Sequence, residues 1–242
     1  MKICYDTMSQ KSHVIVLGAG PSLKENFPAI KEWKDKHDAL VISANYKHDI
    51  KIDYTLFMDK NVFSERVFDA EGLIVITNRL FKLYRKLTSD KRIKNRIRIL
   101  QTIGQEDYEP FKHTFIRIQD NGLMNYFPPN AGYAALLLAS FCRPEHVLIA
   151  GFDGRSVGGT NDHKLLYKDG KITRIRISQK KRWVNKDQKY QLRKVILPFM
   201  KKNKIAIHAF SNDKLRGILS KNNINIIKST TQGLKTKGGI DV

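Results

Sequence analysis

The sequence predicts an α/β protein with a Rossmann-like, mostly parallel sheet, helices on both faces and an inserted β-hairpin. Three observations carry this expectation. Short apolar runs alternate with segments of helical period. The runs stop at polar or glycine residues, as strands do when their carboxyl ends share one functional edge. The first run, Val14-Ile15-Val16-Leu17, breaks at Gly18-Ala19-Gly20-Pro21-Ser22-Leu23, where a strand gives way through two glycines to a helix.

The elements follow in order. Val14 to Leu17 is the first strand, and Leu23 to Lys36 is a helix with Phe27, Ile30 and Trp33 at helical spacing. Ala39 to Ser43 is the second strand, ending at Asn45. Tyr54 to Met58 is the third, ending at Asp59, and Leu73 to Ile76 is the fourth, ending at Asn78. Leu80, Leu83, Tyr84 and Leu87 suggest one helical face, before a strand at Ile97 to Leu100. Residues 104–121 show no clean period and read as a mobile loop. Pro128-Pro129-Asn130-Ala131-Gly132 leads into Tyr133 to Phe141, a helix apolar all round and therefore buried. Val147 to Ala150 is a strand ending in Gly151-Phe152-Asp153-Gly154. Leu165 to Lys168 and Lys171 to Ser178 flank Asp169-Gly170 as a hairpin around a two-residue turn. Leu192, Val195, Ile196, Phe199 and Met200 form a helical stripe before the strand Ile205 to Ile207. Residues 1–228 read as a single nucleotide-binding domain, with the hairpin inserted at about 160–180 and a frayed tail at 229–242.

The glycine stretch points to an anion. A strand that breaks at glycines and starts a helix presents backbone N–H groups at the positive end of a helix dipole. Gly18, Ala19, Gly20, Pro21 and Ser22 are therefore candidate phosphate-binding residues. Pro21 suits a first helical turn and Ser22 can cap it or face an anion. The stretch lacks the third glycine of a dinucleotide fingerprint and the Lys-Ser/Thr pair of a P-loop. An ordinary strand-to-helix turn is the alternative reading.

Composition narrows the class. The 242 residues hold 44 basic and 23 acidic side chains, a net charge of +21. From Arg79 to Arg98 nine Lys or Arg stand against one acid, Asp90, and from Lys171 to Lys204 thirteen against one, Asp187. Such a field attracts nucleotides, nucleic acid, anionic lipid or acidic glycans. Nucleic acid is disfavoured, because the basic runs lack aromatic interleaving. Two cysteines, Cys4 and Cys142, make neither a disulfide framework nor a metal site. No stretch reaches the length of a membrane span, and the opening residues lack a signal-peptide core. A cytoplasmic location is expected, with peripheral contact at an anionic inner membrane face.

These residues carry a resemblance. Gly-Ala-Gly-Pro-Ser-Leu after strand one, Asp53-Tyr54 leading into Met58-Asp59, the Asn130-Ala131-Gly132 helix start and Ile149-Ala150-Gly151-Phe152-Asp153 resemble the MptE-like group. That group includes 6-hydroxymethylpterin diphosphokinases and motility-associated factors linked to flagellin glycosylation. The layout is also similar to bacterial sialyltransferases that use a CMP-activated sugar. The second resemblance implies that Gly18, Gly20, Ser22 and Asn45 hold the nucleotide, that Asp59 stands where that family has Asn, and that Asn130 and Gly132 meet the base or sugar phosphate. It also implies a histidine general base near Trp183 to Asp187, and none is present there.

The catalytic candidates are then His163, in a polar loop, Asp187, and Asp153 at a strand end. Basic residues of the hairpin segment, among them Arg174, Arg176 and Arg182, would offset leaving-group charge. The expected function is a nucleotide-sugar-dependent glycosyltransferase of surface glycan or glycoprotein assembly, with a CMP-sugar donor and no tightly bound cofactor or metal. One alternative is a Mg-ATP-dependent diphosphokinase of the 6-hydroxymethylpterin type, with Asp59 and Asp153 sharing the ion. Another is a polyanion-binding protein without catalysis. An oligomer is compatible with all three.

Overall fold

The computed structural model describes residues 8–20, 22–100, 131–152, 165–168, 171–174, 196–210, 225–228 and 235–236. Six strands come first: β1 (His13–Leu17), β2 (Leu40–Ala44), β3 (Tyr54–Phe57), β4 (Leu73–Thr77), β5 (Ile97–Leu100) and β6 (His146–Ala150). The hairpin strands β7 (Leu165–Lys168) and β8 (Lys171–Arg174) follow, then β9 (Ala206–Phe210), β10 (Asn225–Lys228) and β11 (Lys235–Thr236). The main sheet runs β11-β10-β9-β6-β1-β2-β3-β4-β5, parallel throughout except for β11. This is the α/β Rossmann-like architecture expected. The antiparallel β7–β8 pair forms a separate two-stranded sheet, with Tyr167 opposite Ile172 and Lys168 opposite Lys171.

Both faces of the sheet are covered because β1 to β4 are buried on both sides. Helix α1 (Ser22–His37) packs Leu23, Ile30 and Trp33 onto Ile15, Leu17 and Val41. On the opposite face lies α5 (Ala131–Ser140), whose Leu136, Leu137 and Leu138 join Val16, Ile42 and Leu56. Each of those leucines contributes roughly 2 kcal/mol on burial. The all-apolar pattern of α5 thus reports a helix inside the molecule. Helix α2 (Lys60–Arg66) covers β3 and β4 through Phe63, which is fully buried edge-on against Phe57.

Two elements differ from the sequence reading. The expected helical face of Leu80, Leu83, Tyr84 and Leu87 is split into α3 (Asn78–Leu83) and α4 (Arg85–Thr88). Tyr84 leaves helical geometry at φ −118°, ψ 40°, so Leu80 is buried while Leu83 is left 57% exposed. At the other end of the chain, the expected frayed tail supplies β11, which pairs with β10 through Thr236 opposite Ile227. The last described helix, α6 (Leu197–Lys202), and β9 match the final helix and strand of the pattern. Residues 104–121 lie outside the described residues.

Candidate functional site

Strand order reverses between β1 and β6. From β1 the chain adds β2, β3, β4 and β5 on one side, and β6 and β9 on the other. In an open parallel sheet the crevice at the carboxyl ends of two such strands is left uncovered by crossover loops, and ligands bind there. The glycine stretch follows β1 and Gly151 follows β6, so both flank this crevice.

The glycines bring the two loops into direct backbone contact. Gly18 N donates to Ala150 O at 2.8 Å, and Gly20 N donates to Gly151 O at 2.8 Å. A Cβ on Gly18 would stand 2.4 Å from Gly151 O, which no real contact permits. Gly151 has φ +72°, a left-handed conformation costly for any residue with a Cβ. A Cβ there would also press on Leu23 at 3.1 Å and Gly18 at 3.2 Å. The amides of Gly18 and Gly20 are therefore engaged by the β6 end, and the glycines' first task is close approach. Helix α1 begins at Ser22, with its first turn held by Leu23 N donating to Gly20 O and by buried Asn26, whose Nδ2 donates to Ser22 O at 2.9 Å. The positive end of the α1 dipole thus faces the crevice. Pro21 lies outside the described residues.

Asn45 sits at the carboxyl end of β2, next to β1. Its N–H donates to Leu56 O at 2.9 Å and its φ is +72°. Its side-chain Oδ1 is buried with no hydrogen-bond partner among the described residues. Such an orphan acceptor costs about 1–3 kcal/mol unless something fills it. Asn45 lines a cavity of about 620 Å³ with Tyr46, Phe57, Arg66, Phe68 and Asp69. That volume is the size of an ordinary small-molecule site.

The cavity has a topological cause. Only nine residues, Asn45 to Asp53, join β2 to β3, whereas a parallel crossover with a helix needs a dozen or more. With no helix in the β2–β3 connection, polar Ser43 and Thr55 lie beneath a gap between α1 and α2 on that face. Ser43 Oγ donates to Tyr46 O and Thr55 Oγ1 to Glu71 O. The short connection is visible in the sequence as the spacing between two apolar runs, and it is the signal by which this cavity could have been found. Gly151 was likewise legible as a glycine directly after an apolar strand.

Asp59 has a structural task. Its exposed carboxylate caps α2, accepting from Asn61 N at 2.8 Å and Val62 N at 3.2 Å. The strand ends that precede Asp59 and Asp153, those of β3 and β6, are separated by β2 and β1. Three spacings of about 4.8 Å put them roughly 14 Å apart. A shared ion would need the intervening loops to carry the carboxylates together. No group of three His, Cys, Asp or Glu side chains converges as a metal site among the described residues. Gly132 is half-buried at the start of α5. Asn130, Asp153, His163 and Asp187 lie outside the described residues, as do Arg176 and Arg182. Cys142 is buried and free, and burial pushes its thiol up to about 12, so it is no nucleophile. No helix among the described residues is long and apolar enough to cross a membrane.

The family described as 6-hydroxymethylpterin diphosphokinase MptE-like matches residues 2–157, which include β1 to β6 and both glycine turns. The chain belongs to this family. No curated protein matches the chain.

Proposed function

We propose that this MptE-like chain is a nucleotide-dependent transferase, with its donor's phosphates over the β1/β6 crevice and its nucleoside directed toward Asn45. The carrying observation is the pairing of Gly18 with Gly151 at the strand-order reversal, where backbone stands in place of side chains on both sides. The orphan Oδ1 of Asn45, on the neighbouring strand and beside a cavity of about 620 Å³, supports it. An acceptor without a partner in the unliganded protein is what a ribose hydroxyl or a base N–H would satisfy.

Family membership favours diphosphoryl transfer as the chemistry. In that reading a substrate hydroxyl oxygen forms a bond to the β-phosphorus of ATP, the bond to the α-phosphate oxygen breaks, AMP leaves, and the hydroxyl proton passes to a base. Magnesium would arrive with ATP, held largely by phosphates and water. The described residues build no cage for it, and Asp59 offers a carboxylate already committed as a cap. That commitment is what keeps sugar transfer from a nucleotide donor as a second reading, since displacement at an anomeric carbon can proceed on hydrogen bonds and cations alone.

A thermal-shift panel with ATP, CMP, UDP, GDP and a pterin, each with and without Mg²⁺, tests both. A ligand at a hundredfold its dissociation constant adds about 2.7 kcal/mol and raises the midpoint by several degrees. Diphosphokinase chemistry predicts Mg-dependent stabilisation by ATP and release of AMP when a hydroxymethylpterin is added. Sugar transfer predicts metal-independent stabilisation by one of the pyrimidine or guanine nucleotides. If no nucleotide moves the midpoint, the transferase reading fails.

A further inference from the structure

The ion pairs among the described residues are unevenly placed. Lys11, Lys31, Lys34 and Lys47 pair with Asp38, Asp49, Asp35 and Glu71, all on the flank formed by α1 and the connections around β2 and β3. The segment from α3 to the turn before β5 is different. Its sole acid, Asp90, is taken by Arg92 through two side-chain bonds of 3.0 and 2.9 Å. Arg85, Lys86, Lys91 and Lys94 are exposed, and none makes an ion pair among the described residues. Within this field stands Leu83, 57% exposed because α3 ends there and Tyr84 turns the chain.

We infer that the α3–α4 segment is a docking surface for an anionic phospholipid bilayer, with Leu83 entering the interface and Arg85, Lys86, Lys91 and Lys94 meeting lipid phosphates. Stable peripheral binding takes two signals, apolar insertion and cationic attraction, and this segment presents both side by side. A nucleic acid would use the cations but not an exposed aliphatic side chain. One face of the exposed Phe68 ring is taken by the Arg92 guanidinium at 3.8 Å. This inference does not depend on the proposed nucleotide site at the carboxyl ends of β1 and β6.

Co-sedimentation of the full chain with vesicles of phosphatidylcholine, with and without phosphatidylglycerol, tests it. Binding is expected only to the anionic vesicles and to fall as salt rises. Lys86→Glu and Leu83→Ser should each weaken it, the charge reversal by roughly tenfold or more, since each cation near the surface is worth about fivefold. Lys51→Glu changes the net charge equally at an exposed site on the other flank and should leave binding nearly intact. Thermal midpoints of the three variants show that they fold. Equal binding to neutral and anionic vesicles, an equal loss with Lys51→Glu, or tighter binding to duplex DNA than to the anionic vesicles at the same salt would each overturn the inference.

Discussion

Strands β1 and β6 lie side by side, and their two ends are built in opposite ways. At the carboxyl end side chains are missing: Gly18, Gly20 and Gly151 let the loops touch backbone to backbone. At the amino end His13 and His146 start the same two strands in register and stack at 4.7 Å. His37 stacks on the other face of His13 at 4.3 Å, Trp33 meets it edge-on at 5.4 Å, and His146 Nδ1 lies 3.0 Å from His208 Nε2. Histidine is the residue most readily taken for chemistry, yet here it fills space against its own kind at the end where parallel sheets do not bind ligands. The glycines, which carry no functional group, hold the edge that does.

The largest effect should come from breaking the carboxyl end. Gly18→Val forces a side chain into the backbone carbonyl of Gly151, which cannot swing aside, and should cost roughly 3 kcal/mol with loss of nucleotide stabilisation. Gly151→Ala meets looser contacts and a left-handed backbone, and should cost about 1–2 kcal/mol. Denaturant unfolding with and without nucleotide measures both. Were Gly18→Val to bind nucleotide as the wild type does, the close approach would have no part in the site.

The amino end sharpens the contrast through pH. Burial, then the neighbouring His37 and His146, lowers His13 from its ordinary 6.5 to about 4. Burial likewise brings His208 to about 4, and it lowers His37, helped by Lys36 and His146. Glu145 acts the other way on His13. In the unfolded chain these imidazoles take up protons near 6.5, whereas His13 and His208 in the folded protein resist until about 4. Stability is therefore full above pH 6.5 and lost progressively as pH falls toward 4. Replacing His208 by Gln should flatten the thermal midpoint across that window, and nucleotide affinity at neutral pH should not change. A fall in affinity would show that the two ends are coupled.

The contrast also explains what the sequence could convey. Val14 to Leu17 and the other apolar runs are strands for a local reason, burial on both faces, so their order in the chain was readable. The glycine stretch was readable as a strand-to-helix break. Its partner was not, because the contact between Gly18 and Gly151 spans 133 residues and depends on β6 lying beside β1. Likewise nothing local distinguishes Asp59 as a cap from Asp59 as a metal ligand. Strand order decides how far it stands from the β6 end, and strand order is a property of the folded whole. Leu83 fits a helical stripe on paper and is turned outward by a break at Tyr84 that the periodicity does not contain.

Asp59 gives a smaller effect. Asp59→Ala removes the cap of α2 and should cost about 1 kcal/mol. Asp59→Asn keeps an oxygen for Asn61 N and Val62 N while removing the charge, so stability should return to within a few tenths of a kcal/mol. Steady-state turnover of the Asn variant against Mg²⁺ concentration separates the roles. Unchanged dependence on Mg²⁺ identifies a cap alone, whereas a requirement for more ion restores the carboxylate to the metal.

The smallest effect on stability belongs to the residue that should matter most to the ligand. Asn45 holds a left-handed backbone and a buried oxygen without a partner among the described residues, two costs that folding alone gives no reason to keep. Asn45→Gly relieves both at the expense of a more flexible unfolded chain, so stability should stay within about 1 kcal/mol of the wild type. If the oxygen waits for a nucleoside hydroxyl or N–H, affinity for the stabilising nucleotide should fall about tenfold, the worth of one good hydrogen bond. Calorimetric titration beside thermal unfolding reads the two quantities on the same variant. A loss of stability with affinity intact would return Asn45 to the fold and leave the crevice to the glycines and the α1 dipole alone.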